Sequence, residues 1–141
     1  MLFFKSGLAV NQEIYKNECL AKGLIPMIQK YYTDGKYVFW PDLASSHYAK
    51  SVQNYLKSNK VRFVAKMDNP ANVPKVRPIE DFWAILKQKV YENDWSANNI
   101  NQLISRIKSS LKKIDNICVQ NTVTSVKRRL DLVRRYGLEA L

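Results

Sequence analysis

The apolar positions of this chain change period from segment to segment, and each change marks an expected element. Leu2-Phe-Phe-Lys5 reads as a short strand. From Asn11, the residues Ile14, Tyr15, Cys19 and Leu20 recur at helical steps, and Gly23 is placed to end that helix. A second helical piece spans about Pro26 to Tyr32, and Asp34-Gly35 reads as a turn. The β-branched and aromatic run Tyr37–Trp40 follows as a strand. Ser45 or Ser46 is a candidate N-cap for a helix to about Ser58, with Tyr48, Val52, Tyr55 and Leu56 turned inward. Val61-Arg-Phe-Val-Ala65 is a further strand, and strand, helix and strand in this order predict a right-handed parallel crossover.

Pro70, Pro74 and Pro78 exclude regular structure through residues 67–78. Three helices are then expected. Ile79 to about Asn93 buries Ile79, Phe82, Leu86 and Val90; Asn99 to about Lys113 buries Ile100, Leu103, Ile107 and Leu111. The last, about Ile117 to Tyr136, carries Val119, Val123, Val126, Leu130 and Val133 at alternating four- and three-residue steps. That stripe fits core packing, or a coiled-coil seam barely two heptads long. The expected class is α/β.

Composition narrows the picture. The 141 residues fit one domain, and 46% apolar residues fit a globular chain rather than a disordered one. The net charge of +11 points to a polyanionic partner. Residues 1–59 hold 7 basic and 4 acidic side chains, 60–99 hold 7 and 5, and 100–141 hold 9 and 3, so the surplus gathers at the C-terminus. Cys19 and Cys118 lack partners at metal-ligand spacing and read as free thiols of a reducing compartment. Lys5 interrupts the apolar start too early for a signal peptide, and no uncharged stretch approaches a membrane span, so a soluble intracellular protein without membrane contact is expected.

Two acids stand in defined contexts. Asp42 closes Tyr37-Val-Phe-Trp-Pro-Asp42, and Glu80 lies two residues after a proline in Arg77-Pro-Ile-Glu80-Asp-Phe-Trp83, in the first turn of a helix. Acids at a strand end and a helix start can converge on a hard divalent cation. Each has a plainer reading: Asp42 as a cap of the following helix, Glu80 as a partner of the helix dipole worth ~0.3–1 kcal/mol. Asp81 points about 100° around the helix from Glu80.

Asp42-Leu-Ala-Ser-Ser-His47 resembles the segment around the second catalytic acid of mariner-like transposases, where an Asp is followed five residues later by a His. Pro74-x-x-Arg77-Pro-Ile-Glu80-Asp-Phe-Trp83-x-x-Leu86-Lys87 resembles the third-acid motif of that family, with 37 residues between the two acids. Val126-Lys-Arg-Arg-Leu130…Gly137 resembles its closing arginine-rich helix, and Phe3-Phe-Lys-x-Gly7…Asn11-x-x-x-Tyr15 its stretch between the first and second acids. Leu43, Ser46 and Arg77 depart from residues usual in the family but leave the acids intact.

The resemblance implies an N-terminally truncated, ribonuclease H-like DDE transposase domain, with a core over about residues 1–93 and basic helices over about 94–141. Asp42 and Glu80 would be two of three ligands for two Mg²⁺ (or Mn²⁺) ions, roughly 3.5–4 Å apart in such sites. His47 would lie beside them. The first catalytic Asp belongs upstream of anything matched here, so metal-dependent DNA cleavage and transfer is the family activity and is not expected of this chain alone. The strand bearing that Asp lies centrally, so the sheet is expected to be incomplete, rearranged, or completed by another chain. DNA is the implied partner and the nucleus the implied place; a second copy of the chain is a candidate partner, and no small-molecule cofactor is implied. Lys87, seven residues beyond Glu80 and on its helical face, and Lys127, Arg128, Arg129, Arg134 and Arg135 are the candidate phosphate contacts, against the plainer reading of a solvated basic face. Trp40, Trp83 and Trp95 are expected in the core. The alternatives are a non-catalytic DNA-binding or dimerisation module derived from a transposase, and an unrelated basic helical protein, which a helix-only structure would favour.

Overall fold

Helices dominate the computed structural model, which describes residues 2–4, 7–71 and 73–140. The chain divides into two units, Met1–Ala71 and Asn72–Leu141.

The first unit opens with one unbroken helical run: α1 (Gln12–Ile14), a π-helical stretch Tyr15–Leu24, and α2 (Ile25–Tyr31). Asn11 caps it, its Oδ1 accepting from the N–H groups of Glu13 and Ile14 at 3.0 Å each. Gly23 does not end the helix. The buried residues explain the π geometry, because Tyr15, Leu20 and Ile25 recur every five residues. In an α-helix five residues turn through about 140° past a full circle, spreading these side chains around the axis. Bonding five residues back, as Ile25 N–H does to the Leu20 carbonyl, gathers them toward one face. They pack with Ile28, with Val52 and Leu56 of α3 (Lys50–Ser58), and with Val61.

The expected α/β class does not survive, nor does the ribonuclease H-like sheet. Phe39 and Phe63 form an isolated parallel bridge, the one β pairing among the described residues. Phe39 N–H donates to Arg62 C=O (2.8 Å) and Val64 N–H to Phe39 C=O (3.0 Å). The remaining ladder groups are taken or missing. Lys60 is left-handed (φ 55°), and Lys60 and Val61 donate back to Lys57 and Leu56 to close α3. Pro41 has no N–H, and the Val64 carbonyl accepts from the Tyr48 hydroxyl at 3.1 Å. Two segments with one shared rung cannot make a parallel sheet, which needs several strands covered on both faces. Residues 2–4 are exposed and form no strand; Lys5, the last residue of that expected strand, lies outside the described residues.

In the second unit, Pro74–Val76 forms a 3₁₀ turn before α4 (Pro78–Val90). Both α5 (Ile100–Lys112) and α6 (Asn116–Tyr136) pack on α4. Asn99 and Asp115 cap α5 and α6 through their side-chain oxygens, and Gly137 (φ 81°) ends α6. Arg106 Nε and Ser110 Oγ of α5 donate to the carbonyls of Val90 (3.1 Å) and Lys89 (3.4 Å), so α5 satisfies the open end of α4. The Arg106 guanidinium also lies 5.2 Å from the Trp95 ring centre.

Five residues of the expected core are outside, three of them on α4 and α5 and two on α6. Ile79, Ile100 and Trp83 are exposed, whereas Val76, Leu86 and Val90 are buried. On α6 the packed side is rotated away from the centre of the apolar stripe. Val119, Val126 and Val133 are half-buried, but Val123 and Leu130 are exposed. Arg129 sets that rotation. Its guanidinium pairs with Asp81 Oδ2 of α4 at 2.7 Å and donates to the Lys75 carbonyl at 2.8 Å.

Candidate functional site

Asp42 follows the bridged segment directly, and a buried asparagine holds the backbone in front of it. Asn69 is 5% exposed. Its Oδ1 accepts from the Trp40 indole N–H at 2.8 Å, and its Nδ2 donates to the Pro41 carbonyl (2.8 Å) and to the Tyr48 hydroxyl oxygen (2.7 Å). Tyr48 passes the chain of bonds on to Val64. One amide thus ties residues 40–41, 48 and 69 together, with 64 one bond further on. A buried amide satisfied on both ends is rigid and costly to disturb.

From this anchored backbone Asp42 enters a tight turn. Its Oδ1 accepts from Ala44 N–H at 2.8 Å, and His47 N–H donates to the Ala44 carbonyl at 3.0 Å. The capping role expected of Asp42 is therefore local. Residues 45–48 are a turn, and α3 starts at Lys50 rather than at a serine cap. His47 Nδ1 lies 2.7 Å from the same Asp42 oxygen, outside hydrogen-bond geometry. The imidazole is stacked on Tyr15, ring centres 3.9 Å apart and planes 24° apart. Structure therefore joins Asp42 and His47 as the sequence suggested, and adds Tyr15 and Asn69. Burial pushes the Tyr15 phenol above its usual ionisation range, with Cys19, Asp42 and Tyr48 adding to the shift, so it stays neutral beside the carboxylate. Burial likewise raises the Cys19 thiol, with Glu18 contributing. The Asp42 side chain itself is 60% exposed, and its Oδ2 has no hydrogen bond among the described residues.

Glu80 occupies the first turn of α4 in the second unit and is exposed. The rotation predicted for Asp81 holds: it faces α6 and pairs with Arg129, while Glu80 does not. Each candidate acid is thus placed within its own unit. Among the described residues no group of three or more His, Cys, Asp or Glu side chains is arranged to hold a metal ion. Carboxylate oxygens such as these suit Mg²⁺ or Mn²⁺.

The basic candidates divide. Lys87 is exposed on α4, and Lys127, Arg128, Arg134 and Arg135 are exposed on α6. Arg134 approaches Asp131 only to 4.0 Å. Arg129 is committed to Asp81 and Lys75 inside the protein and is not a free phosphate contact. Sequence reasoning missed Asn69, since a single Asn in a proline-rich loop carries no periodic signal. It also took Arg129 for part of a run of like charges.

No family model matches the chain. The Tc3 transposase of a transposable element of Caenorhabditis elegans is 28% identical over 109 residues, an alignment covering 77% of this chain and 32% of that protein. The sequence is therefore transposase-related, and it spans about a third of the length of the relative it matches. No described helix is long and apolar enough to cross a membrane.

Proposed function

We propose that this transposase-related chain is part of the catalytic region of a mariner-like DDE transposase and that its partner is DNA, met in the nucleus. In this reading Asp42 in the first unit and Glu80 in the second are metal-binding carboxylates, of a kind suited to Mg²⁺ or Mn²⁺. The observation that carries it is the treatment of Asp42. A buried amide network fixes the backbone before it, a turn N–H bonds one of its oxygens with a histidine beside it, and the other oxygen has no hydrogen bond among the described residues. When bound, the cation would supply charge stabilisation for attack on a phosphodiester. The chain's own residues hold the carboxylates, and the basic side chains of α4 and α6 hold the backbone phosphates.

A second reading is a DNA-binding module without the chemistry, favoured by Lys127, Arg128, Arg134 and Arg135 standing exposed on one long helix. Titrating Mn²⁺ into the full chain by calorimetry, with and without duplex DNA, separates the two. The first reading expects weak cation binding that falls in both Asp42→Asn and Glu80→Gln. DNA binding with cation affinity unchanged by either substitution selects the second, and absence of DNA binding refutes both.

A further inference from the structure

The outer face of α4 carries a row of side chains that neither the core nor the cation reading uses. Starting from Glu80, the positions that return to the same side of the helix are Trp83, Ala84, Lys87 and Tyr91 just past its end. All are exposed, Trp83 by 46% and Tyr91 by 48%. The indole leaves part of its surface open to water, with an apolar body and a polar N–H that can both meet a partner. The ring is also oriented in advance: Phe82 meets its edge, ring centres 5.6 Å apart and planes inclined at 62°. Tyr91 lies near Trp95 in a looser, tilted arrangement, ring centres 6.5 Å apart and planes inclined at 50°. Between them Lys87 is exposed and has no ion pair among the described residues.

Aromatic, cation, aromatic at four-residue steps, with small Ala84 leaving room beside them, is a sequence-independent surface for unstacked nucleotides. At 1.5 Å per residue the two rings are about 12 Å apart along the axis, so they would meet different bases, with the ammonium between them for the intervening phosphate. We infer that Trp83 and Tyr91 are base-stacking residues, and that the α4 face binds single-stranded or splayed DNA in preference to paired duplex. This rests on the DNA reading above and deepens it, because stacking beside Glu80 would deliver an opened strand to that carboxylate. The row itself is charge-balanced, Glu80 against Lys87, and it is the +11 of the whole chain that favours a polyanion over a second copy carrying the same charge.

The test is fluorescence anisotropy with a labelled 20-nucleotide single strand and the blunt duplex of the same sequence, using the full chain. The wild-type chain is expected to bind the single strand more tightly. Trp83→Leu keeps apolar bulk and removes the aromatic face, and is expected to weaken single-strand binding about tenfold or more while leaving the duplex little changed. Trp83→Phe should restore most of it. Tyr91→Leu is an independent second measure, and circular dichroism checks that each variant retains its helices. Lys87→Gln should weaken both ligands alike, as a phosphate contact does. Single-strand affinity unaltered in both leucine variants would overturn the stacking role while leaving DNA binding intact. A chain that binds neither oligonucleotide would remove the DNA reading along with it. Loss of self-association without loss of oligonucleotide affinity would assign the face to a second copy and refute the proposal.

Discussion

Replacing Asn69 with alanine removes an amide that makes at least three hydrogen bonds in a site only 5% exposed. The Trp40 indole N–H, the Pro41 carbonyl and the Tyr48 hydroxyl oxygen lose these partners, and the Tyr48 hydroxyl keeps its own bond to Val64. At about 1 kcal/mol per lost bond, with a further ~1–3 kcal/mol for polar groups left without these partners, the cost is about 4–6 kcal/mol. Few of the unit's side chains are buried, and domains of ordinary size are stable by only about 5–15 kcal/mol, so this change should unfold or nearly unfold the first unit. Urea denaturation followed by hydrogen exchange distinguishes the units. Amides of α3 should lose protection in Asn69→Ala while those of α4 and α6 keep it. Asn69→Asp is the informative control. It preserves an acceptor for Trp40 but sets a buried carboxylate oxygen against the Pro41 carbonyl, and so should destabilise at neutral pH at least as much as Asn69→Ala. A loss below about 1 kcal/mol in Asn69→Ala would refute the claim that this amide organises the approach to Asp42.

Arg129→Ala should cost the second unit about 1–2 kcal/mol, the lower end of a charge-assisted pair because both partners are partly exposed, measured by thermal melting. The same substitution should leave the salt dependence of DNA binding unchanged. Neutralising Lys127, Arg128, Arg134 and Arg135 should instead flatten the slope of log K against log salt on duplex, by about 0.9 for each phosphate they had neutralised. Tyr15 gives a pH prediction with a definite sign. Its phenol ionises near 10 in the unfolded chain and higher in the fold, so its contribution is complete below about pH 10 and is lost as pH rises beyond. Melting temperatures from pH 8 to 11 should therefore fall more steeply for wild type than for Tyr15→Phe, and parallel curves would refute the assignment.

The second unit was the more legible part of the sequence. Helices α4, α5 and α6 follow apolar spacing near 3.6, and Asn99, Asp115 and Gly137 mark ends that local backbone chemistry sets. The sheet was misread because Tyr37–Trp40 and Val61–Ala65 have strand composition, while strand formation depends on what the backbone groups bond to. Val61 closes a helix, Pro41 has nothing to donate, and Val64 serves Tyr48. That His47 lies near Asp42 is what the family resemblance implied, whereas the tight turn that brings them together was expected to be the start of a helix. Asn69 was not, since its partners lie 28 and 29 residues upstream at Pro41 and Trp40 and 21 at Tyr48. Arg129 and Trp83 exchanged expected places for one reason. Helical periodicity fixes which residues share a face, and the neighbouring helix decides which face is covered.

The π-helical stretch has a consequence for how this sequence can change in length. Tyr15, Leu20 and Ile25 are framed in fives, one residue more than an α-helical turn of the buried face requires. Excising one residue between Tyr15 and Leu20, such as Asn17, would return that interval to an α-helical four and keep Tyr15 on the side of Leu20. Elsewhere in a packed helix a single deletion swings every later side chain by about 100°. Here the helix holds a spare residue, so its first half is a place where the gene can lose a codon and keep its core.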